Sequence, residues 1–193
     1  MRLRSSRQRG VMAVELGLIC MIMFVMIFGT IEVARAVYLF NTLQESTRRA
    51  AALAAVTNFA DSSKMAVVRQ SAIFRDSPGA LQLGTPITDE QIAIDYLAEV
   101  RGNGGELTMQ PIATGDLPSC PARNREICMA DPNDARCIRF VRVRICQAGG
   151  NGACTPVPYE PVTGLIKFPA HLPTSTTIAP AESLGFVLKS TPC

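Results

Sequence analysis

The sequence lacks the residues and motifs from which most enzyme active sites are built. It has no tryptophan and one histidine, His171, among 193 residues. It has no Gly-x-Ser-x-Gly motif, no pair of acidic residues on an apolar face, and no glycine-rich segment that joins a strand to a helix as a phosphate-binding loop must. His171 lies in a Pro-Ala-His-Leu-Pro segment typical of a loop rather than of a general base. We therefore predict a protein that is not an enzyme and that holds no metal or cofactor.

Acidic residues are absent from the first ten positions, and this stretch contains the excess positive charge of the chain. The formal net charge is +3, and the first ten residues carry four arginines: Arg2, Arg4, Arg7 and Arg9. A short basic segment before an apolar run predicts an N-terminus on the cytoplasmic side of a membrane. The basic balance is therefore a topology signal, and no nucleic-acid partner is expected.

Proline is absent from residues 11–56, and the first part of this stretch is apolar. The apolar run 11–31 would span about 32 Å as a helix of about 21 residues, which matches the hydrocarbon core of a bilayer. No small-residue cleavage site follows it, so the run is not a removable secretory signal. We predict a transmembrane helix over residues 11–31 and its continuation over residues 32–57, with an apolar stripe at Ala36, Phe40, Leu43, Thr47, Ala51 and Ala54.

One charged residue, Glu15, interrupts the apolar run. A carboxylate in lipid is unfavourable, so its presence indicates a function. The alternative is a shallow position near headgroup water, where the helix N-terminus favours an anion. Glu32 and Arg35 follow the run three positions apart, so they are neighbours on a helix surface. They form either a contact that fixes the register of subunits or an ordinary interfacial charge pair.

A set of short motifs in the first third of the chain resembles a known family. A basic leader that ends in glycine, with glutamate five residues later inside an apolar helix, resembles the class III signal of type IV pilins and pseudopilins. The wider pattern is similar to that of the TadE-like family, minor pseudopilins of the tight-adherence (Flp) pilus. The matching elements are Arg9-Gly10, Val14-Glu15, Glu32 with Arg35, and Arg49-Ala50-Ala51.

The resemblance implies a cleavage, a location and a set of partners. A prepilin peptidase would remove leader 1–10 by cutting between Gly10 and Val11, and Glu15, Glu32 and Arg35 would serve assembly. The protein would cross the bacterial inner membrane once, with its C-terminal domain in the periplasm. Its partners would be other pilin or pseudopilin subunits and the tight-adherence machinery. Two alternatives stay open: an uncleaved, membrane-anchored periplasmic scaffold or binding protein, and, less favoured by the sequence, an anchored enzyme.

Six of the seven cysteines lie in the predicted extracytoplasmic domain, residues 58–193. The seventh, Cys20, reads as a small apolar residue of the membrane helix. An even number outside the cytoplasm predicts up to three disulfides, and six cysteines allow 15 pairings. Of these, Cys146 with Cys154 is favoured by the turn-forming residues between them. A zinc site is a weaker alternative, because there is no Cys-x-x-Cys. The six are Cys120, Cys128, Cys137, Cys146, Cys154 and Cys193.

The fold class predicted for the whole chain is α+β, with two helices after the long one and a short antiparallel sheet. We predict one helix over residues 64–75, with Ser62 or Ser63 as its cap and Ala66, Val67, Ile73 and Phe74 facing inward. We predict another helix that begins with a capping box at residues 88–91 and ends at Gly102. Residues 117–136 are predicted to be a disulfide-tethered loop. Predicted strands and extended segments cover residues 107–112, 138–146, 156–161, 165–168 and 184–188.

Three arginines, Arg139, Arg142 and Arg144, lie in the best-marked strand. They could bind an acidic partner. The alternative is a polar sheet face, or charges that protect an edge strand from aggregation.

Overall fold

A computed structural model describes residues 9–102, 104–147, 154–162, 170–188 and 193. Most of the predicted leader and the predicted strand at 165–168 lie outside the described residues. The described part is α+β, with one long helix, two shorter ones and a four-stranded antiparallel sheet, as predicted.

The longest element is helix α1, Arg9–Val56, which runs for 48 residues without a break. Side chains of residues 11–31 are exposed on all sides, except for the partly covered Cys20. From Leu39 onward one face is buried against α2 and the sheet. The predicted stripe is confirmed at Leu43, Thr47, Ala51 and Ala54. The prediction is wrong at Phe40, which is exposed. The domain covers the side of the helix that carries Leu39, Ser46 and Ala50, and Phe40 lies outside it.

Helix α2, Ser62–Ala72, packs on the second half of α1. Its N-cap is Asp61, one residue before the predicted serines, and the Asp61 carboxylate accepts hydrogen bonds from the backbone N–H groups of Ser63 and Lys64. Ile73 is buried as predicted, but Val67 and Phe74 are exposed. The buried face is instead Met65, Val68 and Ala72, whose spacing of three and four residues places them on one side of the helix.

The predicted helix after the capping box is wrong, because the segment is a strand. The box does form: the Gln91 side chain accepts from the Thr88 backbone, but the turn it caps, Asp89–Gln91, has only three residues. Strand β1, Ile92–Arg101, follows directly and pairs with a strand on each side. Its alternating Ile92, Ile94 and Tyr96 fit a pleated strand, and a central position in the sheet outweighs the local helix signal.

The sheet has the order β2-β1-β3-β4, and every neighbouring pair is antiparallel. Strand β2, Leu107–Pro111, and strand β3, Phe140–Ile145, confirm two predictions. Val141, Val143 and Ile145 of β3 are buried and face α1, as their alternation predicted. Strand β4, Thr176–Pro180, was not predicted, because its sequence, Thr-Thr-Ile-Ala-Pro, has little alternation of apolar and polar residues.

Two other predictions about the C-terminal part need correction. Residues 184–188 form turns rather than a strand. The backbone of Leu184 has a positive φ, which does not fit a strand, and its side chain is buried in the core. The extended segment at 156–161 pairs instead through a single bridge between Pro158 and His171. His171, predicted to be a loop residue, lies outside the four strands and takes part in this isolated bridge.

The region predicted as a disulfide-tethered loop contains helix α3, Pro121–Ala130. The prediction missed this helix because its face carries little apolar periodicity. Pro121 is its first residue, where a missing N–H costs nothing and φ is already helical. The tethering is confirmed, since Cys128 bonds to Cys137 and Cys120 bonds to Cys193.

All six domain cysteines form disulfides, and the predicted Cys146–Cys154 pair is one of them. Because their sulfurs are bonded to each other, the zinc alternative is excluded. In the part of the chain that the structure describes, no group of three or more His, Cys, Asp or Glu residues could hold a metal ion.

The arginines in β3 and directly before it pair with acidic residues of β1. Arg142 and Arg144 both donate to Asp95 of β1, with nitrogen–oxygen distances of 3.0 and 2.7 Å, and Arg139 lies 3.8 Å from Glu99. This favours the polar sheet face over an acidic partner. The edge-strand alternative is wrong, because β3 lies between β1 and β4.

The disulfides differ in the length of chain that each one closes, and this predicts a ranking of stability. Cys120–Cys193 spans 73 residues and Cys146–Cys154 spans 8. The loss of loop-closure entropy in the unfolded chain predicts that removing the first costs about 4.5 kcal/mol and removing the second about 2.5 kcal/mol. Guanidinium unfolding of the two double-serine variants in the same detergent measures both. An equal or reversed ranking would contradict this origin of the stability.

Candidate functional site: the bare helix and its boundary with the domain

The predicted cleavage site lies at the start of α1. The helix is continuous from Arg9 through Gly10, Val11 and Glu15. Glu15 is exposed on the bare part of the helix, and none of the described residues donates a hydrogen bond to its carboxylate or forms an ion pair with it. The described part of the domain therefore offers this charge no compensation.

The bare part of α1 has the character of a membrane span. Among the described residues it belongs to the single helix that is long and apolar enough to cross a bilayer, with a mean hydropathy of 2.6 in its most apolar window. No other element covers that window. Large apolar side chains exposed all around a helix are unfavourable in water. The helix thus suggests a membrane anchor.

Where the apolar run ends, Glu32 attaches the domain to the helix. Its carboxylate accepts a hydrogen bond from the Tyr159 hydroxyl through Oε1 and another from the Val162 backbone N–H, at 3.1 Å, through Oε2. Both partners lie about 130 positions away in sequence, within the described segment 154–162.

Arg35, one turn further along, holds two segments at once. Its Nε donates to the Leu83 carbonyl at 3.1 Å and its Nη2 to the Thr85 carbonyl at 2.9 Å. Its Nη1 donates to the Glu160 carbonyl, and the guanidinium lies 5.6 Å from the centre of the Tyr159 ring. The planar, forked guanidinium suits this arrangement, because it offers several donors in fixed directions.

Tyr38 adds a further contact, since its hydroxyl donates to the Gln82 carbonyl at 3.1 Å. We call Glu32, Arg35, Tyr38 and Tyr159 the boundary cluster. It fixes residues 82–85 and 159–162 against the first two turns of the helix beyond the apolar run.

The boundary cluster differs from the pairing that the sequence indicated. The spacing of Glu32 and Arg35 predicted contact with each other, but the ion pairs found among the described residues do not include them. Each is directed at the domain instead. Sequence reasoning missed Tyr159, and the one signal for it was an aromatic residue between two prolines in an extended segment.

The environment of Tyr159 keeps its hydroxyl protonated. Partial burial raises the pKa of this hydroxyl, and the hydrogen bond to Glu32 and the negative charge of Glu32 raise it further, while Arg35 lowers it. Ionised Tyr159 would face a carboxylate and could no longer donate. The contact is therefore complete at neutral pH, and it weakens as the pH rises above the ordinary tyrosine value of about 10.

The opposite face of the helix at this level is uncovered. Val33, Val37 and Phe40 are exposed and lie four and three residues apart, so they form one apolar stripe. The stripe continues the bare surface of residues 11–31 beyond the boundary cluster.

The first part of the chain is similar to one known family. Residues 10–52 match the family model described as TadE-like protein. This stretch of the chain resembles that family. The match covers the bare helix and most of the stem, by which we mean residues 32–56 of α1, including the helical side of the boundary cluster. It suggests a component associated with a tight-adherence pilus. No curated protein and no solved structure matches the chain significantly.

The contacts of Arg35 predict a measurable local effect. Arg35→Lys keeps the charge but places all its donors on one nitrogen, which cannot reach the three carbonyls that the guanidinium fork reaches. The backbone amides of segments 82–85 and 159–162 should therefore lose protection from hydrogen exchange. Hydrogen bonds to a charged group contribute about 1.5–3 kcal/mol, which corresponds to an increase of about 10- to 150-fold in amide hydrogen exchange. Hydrogen exchange followed by mass spectrometry measures this in the intact protein.

Arg48→Lys is the matched control, because Arg48 is an exposed arginine of the same helix. It should leave the exchange of both segments unchanged. Equal exchange in the Arg35→Lys variant and the parent protein would show that the boundary cluster does not hold these segments.

Proposed function

We propose that this protein is a TadE-like minor pseudopilin of a tight-adherence pilus. It is inserted in the inner membrane with its N-terminus in the cytoplasm and its disulfide-bonded domain in the periplasm, and a prepilin peptidase cuts it between Gly10 and Val11. The observation that carries the proposal is a bare apolar helix, preceded by arginines, in which a carboxylate without a partner among the described residues lies five residues after Gly10. Three disulfides support an oxidising compartment for the domain.

In this proposal Glu15 pairs with the amine that cleavage creates. Removing the leader leaves a positive α-amino group on Val11, four residues before Glu15 and therefore on the same side of the helix. In lipid, an opposite charge offsets the unfavourable burial of a carboxylate. Pairing with the Val11 amine of its own chain would neutralise the carboxylate, and pairing with that of a neighbouring subunit would also favour one axial register between the two helices.

The uncovered stripe of the stem is the second support for assembly. The domain occupies one side of α1 and leaves Val33, Val37 and Phe40 free on another. A neighbouring pilin helix that packs along residues 11–31 would continue onto this stripe without meeting the domain. Subunit contact would then bury apolar surface on both sides of the membrane boundary.

Cleavage is the first test. When the chain is produced in cells with a prepilin peptidase, sequencing of the purified protein should give Val11 as its first residue. Gly10→Val is the control, because a branched side chain at the cut position should leave the leader attached. If Met1 or Arg2 is the first residue in the presence of active peptidase, the protein is instead an uncleaved membrane-anchored scaffold or binding protein.

Pairing by Glu15 is tested separately. The Glu15→Ala variant should still be cleaved. Affinity purification of this variant from membranes should yield at least about tenfold less of the other pilin subunits, because an unpaired amine in lipid is unfavourable. Glu45→Ala removes an exposed acid of the same helix within the stem and should leave recovery unchanged. Equal recovery with Glu15→Ala and Glu45→Ala would refute the pairing role.

A further inference from the structure

The segments held by the boundary cluster lie at the level where the apolar run ends. Arg35 is four residues beyond Ile31, a rise of about 6 Å along the helix. Headgroups extend several ångströms beyond the hydrocarbon core on each side, so a helix that spans the core with residues 11–31 has Glu32 and Arg35 among them. The backbone groups that these side chains contact lie at the same depth.

The first of these segments presents an apolar side chain on a fixed support. Leu81 and Ile87 are buried in the core and are joined by a hydrogen bond of 2.8 Å from the Leu81 N–H to the Ile87 carbonyl. Between them, Leu83 is 78% exposed. Its φ of +54° is uncommon for a leucine, and its carbonyl is held by Arg35.

The turn around Leu83 has little freedom. A Cβ on Gly84 would come within 2.5 Å of the Leu81 side chain, so this glycine is packed directly against the core. The Gly84 N–H also donates to the Leu81 carbonyl. The exposed position of Leu83 is therefore set by its buried neighbours and by Arg35.

The second segment shows the same arrangement. The Val162 N–H is bound by Glu32, while its side chain is 57% exposed. Two exposed apolar residues, distant in sequence, are thus fixed beside the helix at the depth of its first turn beyond the apolar run. Tyr38, partly exposed next to them, belongs to a residue type that is enriched at the interface between lipid and water.

We propose that Leu83 and Val162 insert into the interfacial layer of the bilayer, so that the domain rests on the membrane surface as well as being attached to the helix. The occupant is lipid because the two side chains continue the apolar surface of residues 11–31 at the depth of the headgroups. Such a contact restrains rotation and tilt of the domain relative to the membrane. The inference rests on the membrane anchor of the proposed function but is independent of cleavage and of Glu15.

The absence of tryptophan allows a direct test. Leu83→Trp and Val162→Trp each introduce a single fluorophore into the full chain, which is then reconstituted into phosphatidylcholine–phosphatidylglycerol vesicles with and without lipids brominated high on the acyl chains. Phe24→Trp marks the bare helix. Met129→Trp, at a 75% exposed position of α3, marks a surface remote from the boundary cluster.

We expect brominated lipid to quench Leu83→Trp and Val162→Trp at least about twofold more than Met129→Trp, as it does Phe24→Trp, because interfacial side chains lie within reach of the upper acyl chains. If only Phe24→Trp is quenched, the anchor stands and the surface contact is refuted. If Leu83→Trp emission shifts to the blue without quenching, a protein surface covers the segment and the assignment to lipid is refuted. Lack of quenching of Phe24→Trp would overturn the anchor itself and, with it, both proposals.

Discussion

The structure depends on the continuity of one helix through two different surroundings. The first half of α1 has apolar side chains on every side, and beyond Phe40 the second half has them mainly on the side that faces the domain. The second pattern needs a folded domain as its partner, and Leu39, Leu43, Ala50 and Ala54 supply the surface on which α2 and the sheet pack. The first pattern needs an apolar surrounding, which the domain does not provide. One helix therefore carries both the core of the domain and the means of attaching it to a membrane.

The change of surroundings falls at Glu32 and Arg35, and the structure uses both charges to join the domain to the helix. A helical pair at this spacing contributes at most about 0.5 kcal/mol when it is exposed. The hydrogen bonds of Glu32 and Arg35 to distant backbone groups instead fix two segments that lie outside the helices and strands. The disulfides act similarly at the far end, where Cys120–Cys193 attaches the end of the chain to the start of α3. The domain is thus restrained at its boundary with the helix and again at its C-terminus.

The sequence was informative wherever a strong local pattern coincided with the tertiary surroundings. The apolar run predicted α1, the Val141–Val143–Ile145 alternation predicted β3, and the residues between Cys146 and Cys154 predicted their disulfide. It misled where tertiary pairing outweighed a local signal, as at the capping box of Thr88 and Gln91, which precedes a strand. It was silent where the pattern was weak, as in α3 and β4. The contact of Tyr159 with Glu32 joins residues 127 positions apart, and no local pattern encodes such a contact.

Attachment of the domain to the membrane requires that α1 be one unbroken helix from the bilayer into the domain. The most direct test is the distance between spin labels at Leu18 and Arg48, in a Cys20→Ala background reconstituted in lipid nanodiscs, measured by pulsed electron paramagnetic resonance. A continuous helix predicts a single narrow distribution near about 45 Å, since 30 residues rise about 1.5 Å each. A broad distribution, or one centred well below that distance, would show a break at the boundary and would contradict the account.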